Sequence, residues 1–369
     1  MRNILKNGTL FLAAIIVSLL VSEVVVRYFF HPVDHLLPRL EADSVLGHRI
    51  ASNTGGHDSL GFRNYTLPSK AEIVAIGDSH TYGVSATFQN SWPAQLSNMR
   101  SSIVYNMALG GYGPPHYLHL LKTKTLDFAP KIVIVGLYFG NDLVDAYNLV
   151  YSNEYWQKYR NPEIIGANAK NTTATTTQIK GKFLNETRNW LAHRSVLYRL
   201  ITQSAMGNVV RIIEFKSEAS EVIDIKLATV RQFFMPGYRL ESLDRNSLKV
   251  EEGIRISKVV IHEIKQYCLS NQIELIFVLI PTKELVYSKL LKDSLNNKIP
   301  NVLLKSFEYE VSIRSEFFQY FKKSNIRYID VLPALREAAT NGKDIYPIND
   351  GHTNGQGYSV IAKKINDSL

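Results

Sequence analysis

The chain has 369 residues, of which 45% are hydrophobic and 20% charged. That balance supports a sizeable core and argues against disorder except locally. Its one cysteine, Cys268, excludes an intrachain disulfide and a thiolate metal cluster, and its Lys and Arg, although the net charge is +9, form no run of five that would suit nucleic acid.

The N-terminus carries Arg2 and Lys6, then a stretch from Leu10 to Val26 that is apolar except for Ser18, Ser22 and Glu23. This is near the lower limit for crossing a hydrocarbon core of ~30 Å. A cleaved signal peptide wants small residues at its cleavage site, and Val21-Ser22-Glu23 and Val24-Val25-Val26 fit that poorly. An uncleaved signal-anchor over residues 9–29 fits better than a cleaved signal or a buried core helix. The cationic residues ahead of the span place residues 1–8 in the cytoplasm and the rest of the chain outside, with Arg27 weakening the bias slightly. Glu23 sits near the far end, where water can reach it.

Residues 30–70 are polar and rich in Pro and Gly, and they read as a linker leading into a domain over 71–369. Short apolar runs predict strands at Glu72–Ile76, Ser102–Asn106, Lys131–Leu137, Glu274–Ile280 and Ile326–Asp330. Apolar spacing predicts helices at Asn90–Met99, Tyr117–Leu126, Val250–Ser270, Ser312–Lys323 and Tyr358–Leu369. The run Lys131–Leu137 has no polar side chain after Lys131, as a strand covered on both faces requires. Alternating strands and helices imply an α/β fold with a mostly parallel sheet between helical layers. Residues from about 150 to 250 break the pattern and read as an insertion, with a polar run at Asn171–Thr177 and an amphipathic stretch at Ser195–Met206. Cys268 reads as a buried small hydrophobe. Tyr151, Tyr155, Trp156 and Trp190 could offer a sugar-stacking surface, but packing of the insertion onto the sheet is the simpler reading.

Four loops carry candidate chemistry. Gly77-Asp78-Ser79 follows the first strand and would expose a serine hydroxyl at the sheet edge, where it needs a base to become nucleophilic. Asn106 to Gly113 follows the second strand and contains Gly110 and Gly111, which let a backbone N–H approach a bound oxygen. Gly140-Asn141-Asp142 follows the third; the Asn141 amide can donate to an oxyanion, or the residue can serve as a helix cap. Asn349-Asp350-Gly351-His352 precedes the last helix, with His352 as general base and Asp350 as its orienting partner. No metal-ligand spacing or phosphate loop appears, so no metal and no cofactor is expected, and His116 and His119 read as packed or solvated. Asn64-Tyr65-Thr66 and Asn185-Glu186-Thr187 match the glycosylation sequon, a pattern common by chance.

In order and position the four loops resemble the blocks of the SGNH hydrolase superfamily, the GDSL esterases, across residues 71–369 apart from the insertion. The resemblance implies a three-layer α/β/α sandwich, SGNH-like and flavodoxin-like. It implies Ser79 as nucleophile, His352 and Asp350 as its partners, and an oxyanion hole from the Ser79 N–H, the Gly111 N–H and the Asn141 side chain. Gly111 is preferred to Gly110 because it stands five residues after Asn106. Two departures stand out. His80 replaces the family's Leu, and is expected to pack in the loop or touch substrate. Asn349 holds the family's usual acid position, leaving Asp350. The Asp350-x-His352 spacing resembles the enzymes of bacterial exopolysaccharide acetylation. Gly61-Phe62-Arg63 and Ile280-Pro281-Thr282-Lys283-Glu284 look like stretches of membrane-tethered bacterial relatives. The expected activity is carboxylic ester hydrolysis, on acylated carbohydrate or another small ester, by an enzyme in the bacterial inner membrane facing the periplasm or outside. An O-acetyltransferase with the same residues, or a non-catalytic glycan-binding or assembly protein, are the alternatives.

Overall fold

The computed structural model describes residues 2–164, 182–203, 222–227, 230–295 and 298–369. In chain order the strands are β1 (Leu40–Asp43), β2 (Gly47–Ile50), β3 (Ile73–Gly77), β4 (Val104–Ala108), β5 (Ile132–Tyr138), β6 (Ile223–Leu227), β7 (Val230–Phe234), β8 (Glu274–Ile280) and β9 (Arg327–Asp330). β1 with β2, and β6 with β7, form antiparallel hairpins. The other five form one sheet in the order β4-β3-β5-β8-β9, and every pairing in it is parallel.

Side-chain alternation in these strands divides the core in two. Val74, Ile76, Val133, Val135, Leu137, Phe277 and Leu279 face one cluster, closed by the helices Pro114–Thr123, Asp142–Ser152 and Leu248–Ser270. Ile73, Ala75, Ile134, Tyr138, Ile276, Val278 and Ile280 face the other, closed by Trp92–Arg100, Lys283–Ser294, Leu332–Thr340 and Gly355–Asn366. The fold is therefore the expected three-layer sandwich. Counted within the sheet alone, the strand order is 2-1-3-4-5, a doubly wound order whose switch crevice opens beside the carboxyl ends of β3 and β5.

Glycines make room at that crevice. Gly77 and Gly136 are register partners on β3 and β5. A Cβ on either would stand within 2.3 Å of the Thr81 hydroxyl oxygen. The short helix Ser79–Tyr82 can settle onto the strand ends only because both positions lack a side chain.

Several boundaries differ from expectation. The helix expected at Tyr117 begins at Pro114, because Pro114 and Pro115 occupy first-turn positions whose N–H groups would be unpaired anyway. The helix expected at Ser312 begins at Asn301. β4 lies two residues beyond Ser102–Asn106, in register with β3. The segment 30–70, expected as a linker, carries the helix Pro32–His35 and the β1–β2 hairpin. It also buries Leu46, Ile50 and Phe62 in the first core. Arg63, itself buried, pairs with Asp34 at 3.0 Å and donates to the carbonyls of Gly83 and Ala86. Asn64 is buried and both ends of its side chain are engaged, so the folded chain presents no glycan acceptor there.

Within the region expected as an insertion, Trp156 is buried and its indole donates to the Val45 carbonyl at 2.8 Å. Tyr151 packs against the first core, while Tyr155 and Trp190 are exposed. The run Asn171–Thr177 and residue Met206 lie outside the described residues. Cys268 is buried, and burial pushes its thiol up to about 12. At the N-terminus, Lys6–Phe29 is long and apolar enough to cross a membrane, and none of it is buried in the protein.

Candidate active site

Ser79 is the first residue of the turn of helix that follows β3. Asp78 caps that helix, its carboxylate accepting the His80 N–H at 2.9 Å. The cap points the Ser79 hydroxyl out of the sheet edge toward the loop 347–353. His352 Nε2 lies 2.8 Å from Ser79 Oγ, and His352 Nδ1 lies 2.7 Å from Asp350 Oδ1. Three of the residues singled out from sequence are thus joined by two hydrogen bonds.

The two-residue spacing of Asp350 and His352 has a local consequence. Asp350 Oδ1 also accepts the His352 backbone N–H at 2.9 Å, closing a turn that presets the imidazole. Its other oxygen accepts the Ser85 hydroxyl. Burial alone would raise this carboxyl. The His352 hydrogen bonds and charge, with Ser85, outweigh burial and hold it well below the usual carboxylate range. Asp78 shows the opposite balance: it is fully buried, and burial pushes its carboxyl up to about 6 despite the nearby His352. Asp78 Oδ2 lies 3.2 Å from Ser79 Oγ. The Ser79 proton has two acceptors within reach, and the nearer is the imidazole.

His80 is buried, with its ring 3.9 Å from that of Tyr138 and 4.6 Å from that of His352. Burial, then the charges of His352 and Arg239, keep it neutral, well below the ordinary histidine value. It both packs in the loop and lines the pocket, so it forms part of the floor under His352.

The expected oxyanion donors are less assembled. Gly111 is exposed with φ of +78°, a left-handed conformation that favours glycine. Gly110 lies against Ser79, since a Cβ on it would stand 3.5 Å from the Ser79 Cβ. The Gly110 carbonyl accepts from His48 Nε2 at 3.1 Å. Asn141 occupies the N-cap position of the helix Asp142–Ser152, yet its side chain makes no capping bond. Instead its amide donates to Asp145, whose carboxyl burial pushes up to about 7.

Ser79, Asn141, Asp350 and His352 line one cavity of about 210 Å³, together with Tyr138, Tyr238, Arg239 and Lys283. None of the last four stands out in the sequence as a residue of the site. The β6–β7 hairpin and the helix Pro236–Leu243 deliver Phe233, Met235, Tyr238 and Arg239 to one wall. Phe233 N donates to the Ile348 carbonyl at 2.8 Å, which ties that hairpin to the histidine loop. Arg239 Nη1 donates to the Gly140 carbonyl at 2.8 Å.

Lys283 follows β8, and its ammonium donates to the carbonyls of Pro347, Ile348 and Asp350 at 3.1, 3.2 and 3.1 Å. It is almost fully buried, and burial brings its amine down to about 8 against the pull of Glu284, Asp350 and Asp344. The only hint in the sequence was the stretch Ile280–Glu284, which carried no assigned role.

Among the described residues no group of three or more His, Cys, Asp or Glu converges to hold a metal ion. His116 is buried against Tyr112 and accepts the Gly113 N–H at 3.0 Å, a structural use.

No protein-family model and no curated protein matches the chain. Solved structures similar to it include three ester-cleaving enzymes. A phospholipase A1 from Streptomyces albidoflavus NA297 has a TM-score of 0.41 and 9% identity, over 81% of this chain and 100% of that one. An acetylxylan esterase from Geobacillus stearothermophilus, a catalytic mutant, gives 0.37 and 10%, over 81% and 94%. A GDSL-like lipase from Bacteroides thetaiotaomicron VPI-5482 gives 0.34 and 10%, over 82% and 91%.

Proposed function

We propose that this chain is a serine esterase of the SGNH (GDSL) type, anchored by Lys6–Phe29, that cleaves O-acetyl esters of a glycan outside the cytoplasm. The observation that carries the reading is the Ser79–His352–Asp350 relay, two hydrogen bonds of 2.8 and 2.7 Å at the switch crevice of the sheet.

The chemistry follows from the geometry. Ser79 Oγ attacks the ester carbonyl carbon as its proton passes to His352 Nε2. Asp350 holds Nδ1–H and stabilises the imidazolium. The oxyanion takes the N–H groups of Ser79 and Gly111 and the second amide hydrogen of Asn141, at ~3–4 kcal/mol per donor in comparable sites. His352 returns the proton to the alkoxide leaving group. Water, activated by the same imidazole, then releases acetate from Ser79.

The test is hydrolysis of 4-nitrophenyl acetate by the full chain, alongside labelling by a fluorophosphonate. Activity and labelling are both expected and both vanish in Ser79→Ala; full activity in that variant sinks the reading. The Asp350-x-His352 spacing favours a second reading, transfer of the acetyl group to a sugar hydroxyl. Faster turnover with acetylated sugar product when glycan acceptor is added supports transfer; unchanged acetate release supports hydrolysis.

A further inference from the structure

Glu23 is the one acidic residue in the helix Arg2–Phe29, and a carboxylate facing lipid without partners is expensive. Here it is fully engaged. One oxygen accepts the Val196 N–H at 2.9 Å and Arg27 Nε at 2.7 Å. The other accepts the Leu197 N–H at 2.9 Å and the Ser195 hydroxyl at 2.8 Å. Arg27 Nη2 continues to the Arg194 carbonyl. Glu23 therefore supplies, from another helix, the anion that the N-terminus of the helix Val196–Gln203 attracts. Span and helix are joined as one unit.

The depth of that joint follows from the rise of a helix. Glu23 precedes the end of the span at Phe29 by six residues, or ~9 Å along the axis. Anything bonded to it lies at the outer edge of the bilayer. The surface presented there is of the kind that suits lipid: Trp190 and Ile201 are more than half exposed, as are Tyr28 and Phe29. The Arg194 guanidinium lies 5.6 Å over the Trp190 ring. Aromatic rings beside basic residues are the composition of a membrane–water interface.

We propose that the helices Lys182–Arg194 and Val196–Gln203 lie in the outward-facing interface of the membrane that Lys6–Phe29 spans, latched to the span by Glu23, with Trp190 and Ile201 in contact with lipid. The inference rests on reading Lys6–Phe29 as a membrane span. It gives the inserted segment a second use besides shaping the pocket. The Leu37 N–H donates to the Ala192 carbonyl and His193 to the Leu37 carbonyl, at 2.9 and 2.8 Å. Through these bonds the latch also sets the height of the domain above the membrane.

The chain's own tryptophans provide the probe. Trp92 and Trp156 are buried and Trp190 is 56% exposed. The full chain is reconstituted in phosphatidylcholine and phosphatidylglycerol vesicles containing lipid brominated on its acyl chains. Vesicle flotation is scored beside fluorescence. The wild type is expected to float and to lose part of its emission to bromine, and Trp190→Phe to float without that loss. Glu23→Gln is expected to float with weaker quenching. A wild type that floats but is quenched no more than Trp190→Phe overturns the interface inference and leaves the anchor standing. Undiminished quenching in Glu23→Gln overturns the latch. A chain that does not float removes the anchor reading and this inference together.

Discussion

The two halves of the candidate site are prepared to different degrees. On the relay side every polar contact is closed: Ser79 to His352, His352 to Asp350, Asp350 to Ser85, and the whole loop to Lys283. On the oxyanion side Asn141 is turned to Asp145, and Gly111 lies exposed on its turn. The difference tracks where the groups sit. Asp350 and His352 share one loop, held by the buried Lys283 ammonium, and reach across to Ser79 on the turn after β3. The oxyanion donors come from three separate loops, after β3, β4 and β5, that only the sheet brings together. Two partners two residues apart on one turn are preset by local hydrogen bonds, whereas donors on separate loops depend on how those loops are brought together.

This contrast can be broken at several points. Ser79→Ala removes the nucleophile, leaving its backbone N–H donor in place, and is expected to lower kcat by ~10⁵-fold or more on an activated acetyl ester. Asp350→Asn keeps the size of the side chain but favours the wrong imidazole tautomer, with an expected loss of ~10⁴-fold in kcat. A loss below tenfold would mean that the preset relay is incidental. Asn141→Ala is expected to cost ~10²–10³-fold in kcat with little change in KM, since its donor acts on the transition state. If steady-state kinetics of that variant match the wild type, Asn141 belongs to the helix start alone.

Lys283→Met tests the clamp with the smallest effect, a fall of at most ~10²-fold in kcat from a displaced loop. Its pH signature is sharper. The folded lysine titrates near 8, below its unfolded value of 10.5. The unfolded chain therefore binds more protons between those values, and stability rises with pH through that window. Activity should move the other way. A neutral amine has two N–H donors for three carbonyls, so kcat is expected to fall above pH 8. That basic limb should be absent in Lys283→Met. A wild type whose activity and thermal stability rise together above pH 8 would contradict the clamp.

Much of the fold was legible in the sequence. Each of the five central strands announced itself as a short run rich in apolar residues, because parallel strands covered on both faces favour them, although β4 carries a buried Asn106 and β9 Arg327 and Asp330. Ser79, Asn141 and His352 were visible because each stands just past a strand or just before a helix, at the edge where loops gather. Boundaries were legible only to a few residues, since register with a neighbouring strand, not local preference, sets where β4 begins. The segment 30–70 looked like a linker because Gly, Pro and polar residues dominate it. Its order comes from the Arg63–Asp34 pair and from a few apolar residues that reach the core, contacts with no local periodicity.

What the sequence alone determined is the order of the five central strands and the identity of Ser79, Asp350 and His352 as candidate partners, because these depend on local pattern and residue chemistry. Tertiary structure alone decided that His80 lies under His352, that Arg239 walls the pocket, that Lys283 holds the histidine loop and that Glu23 caps a helix far along the chain. Each is a charged or titratable side chain whose role depends on which groups surround it after burial. A sequence states that such a residue exists; only the packed chain states what satisfies it.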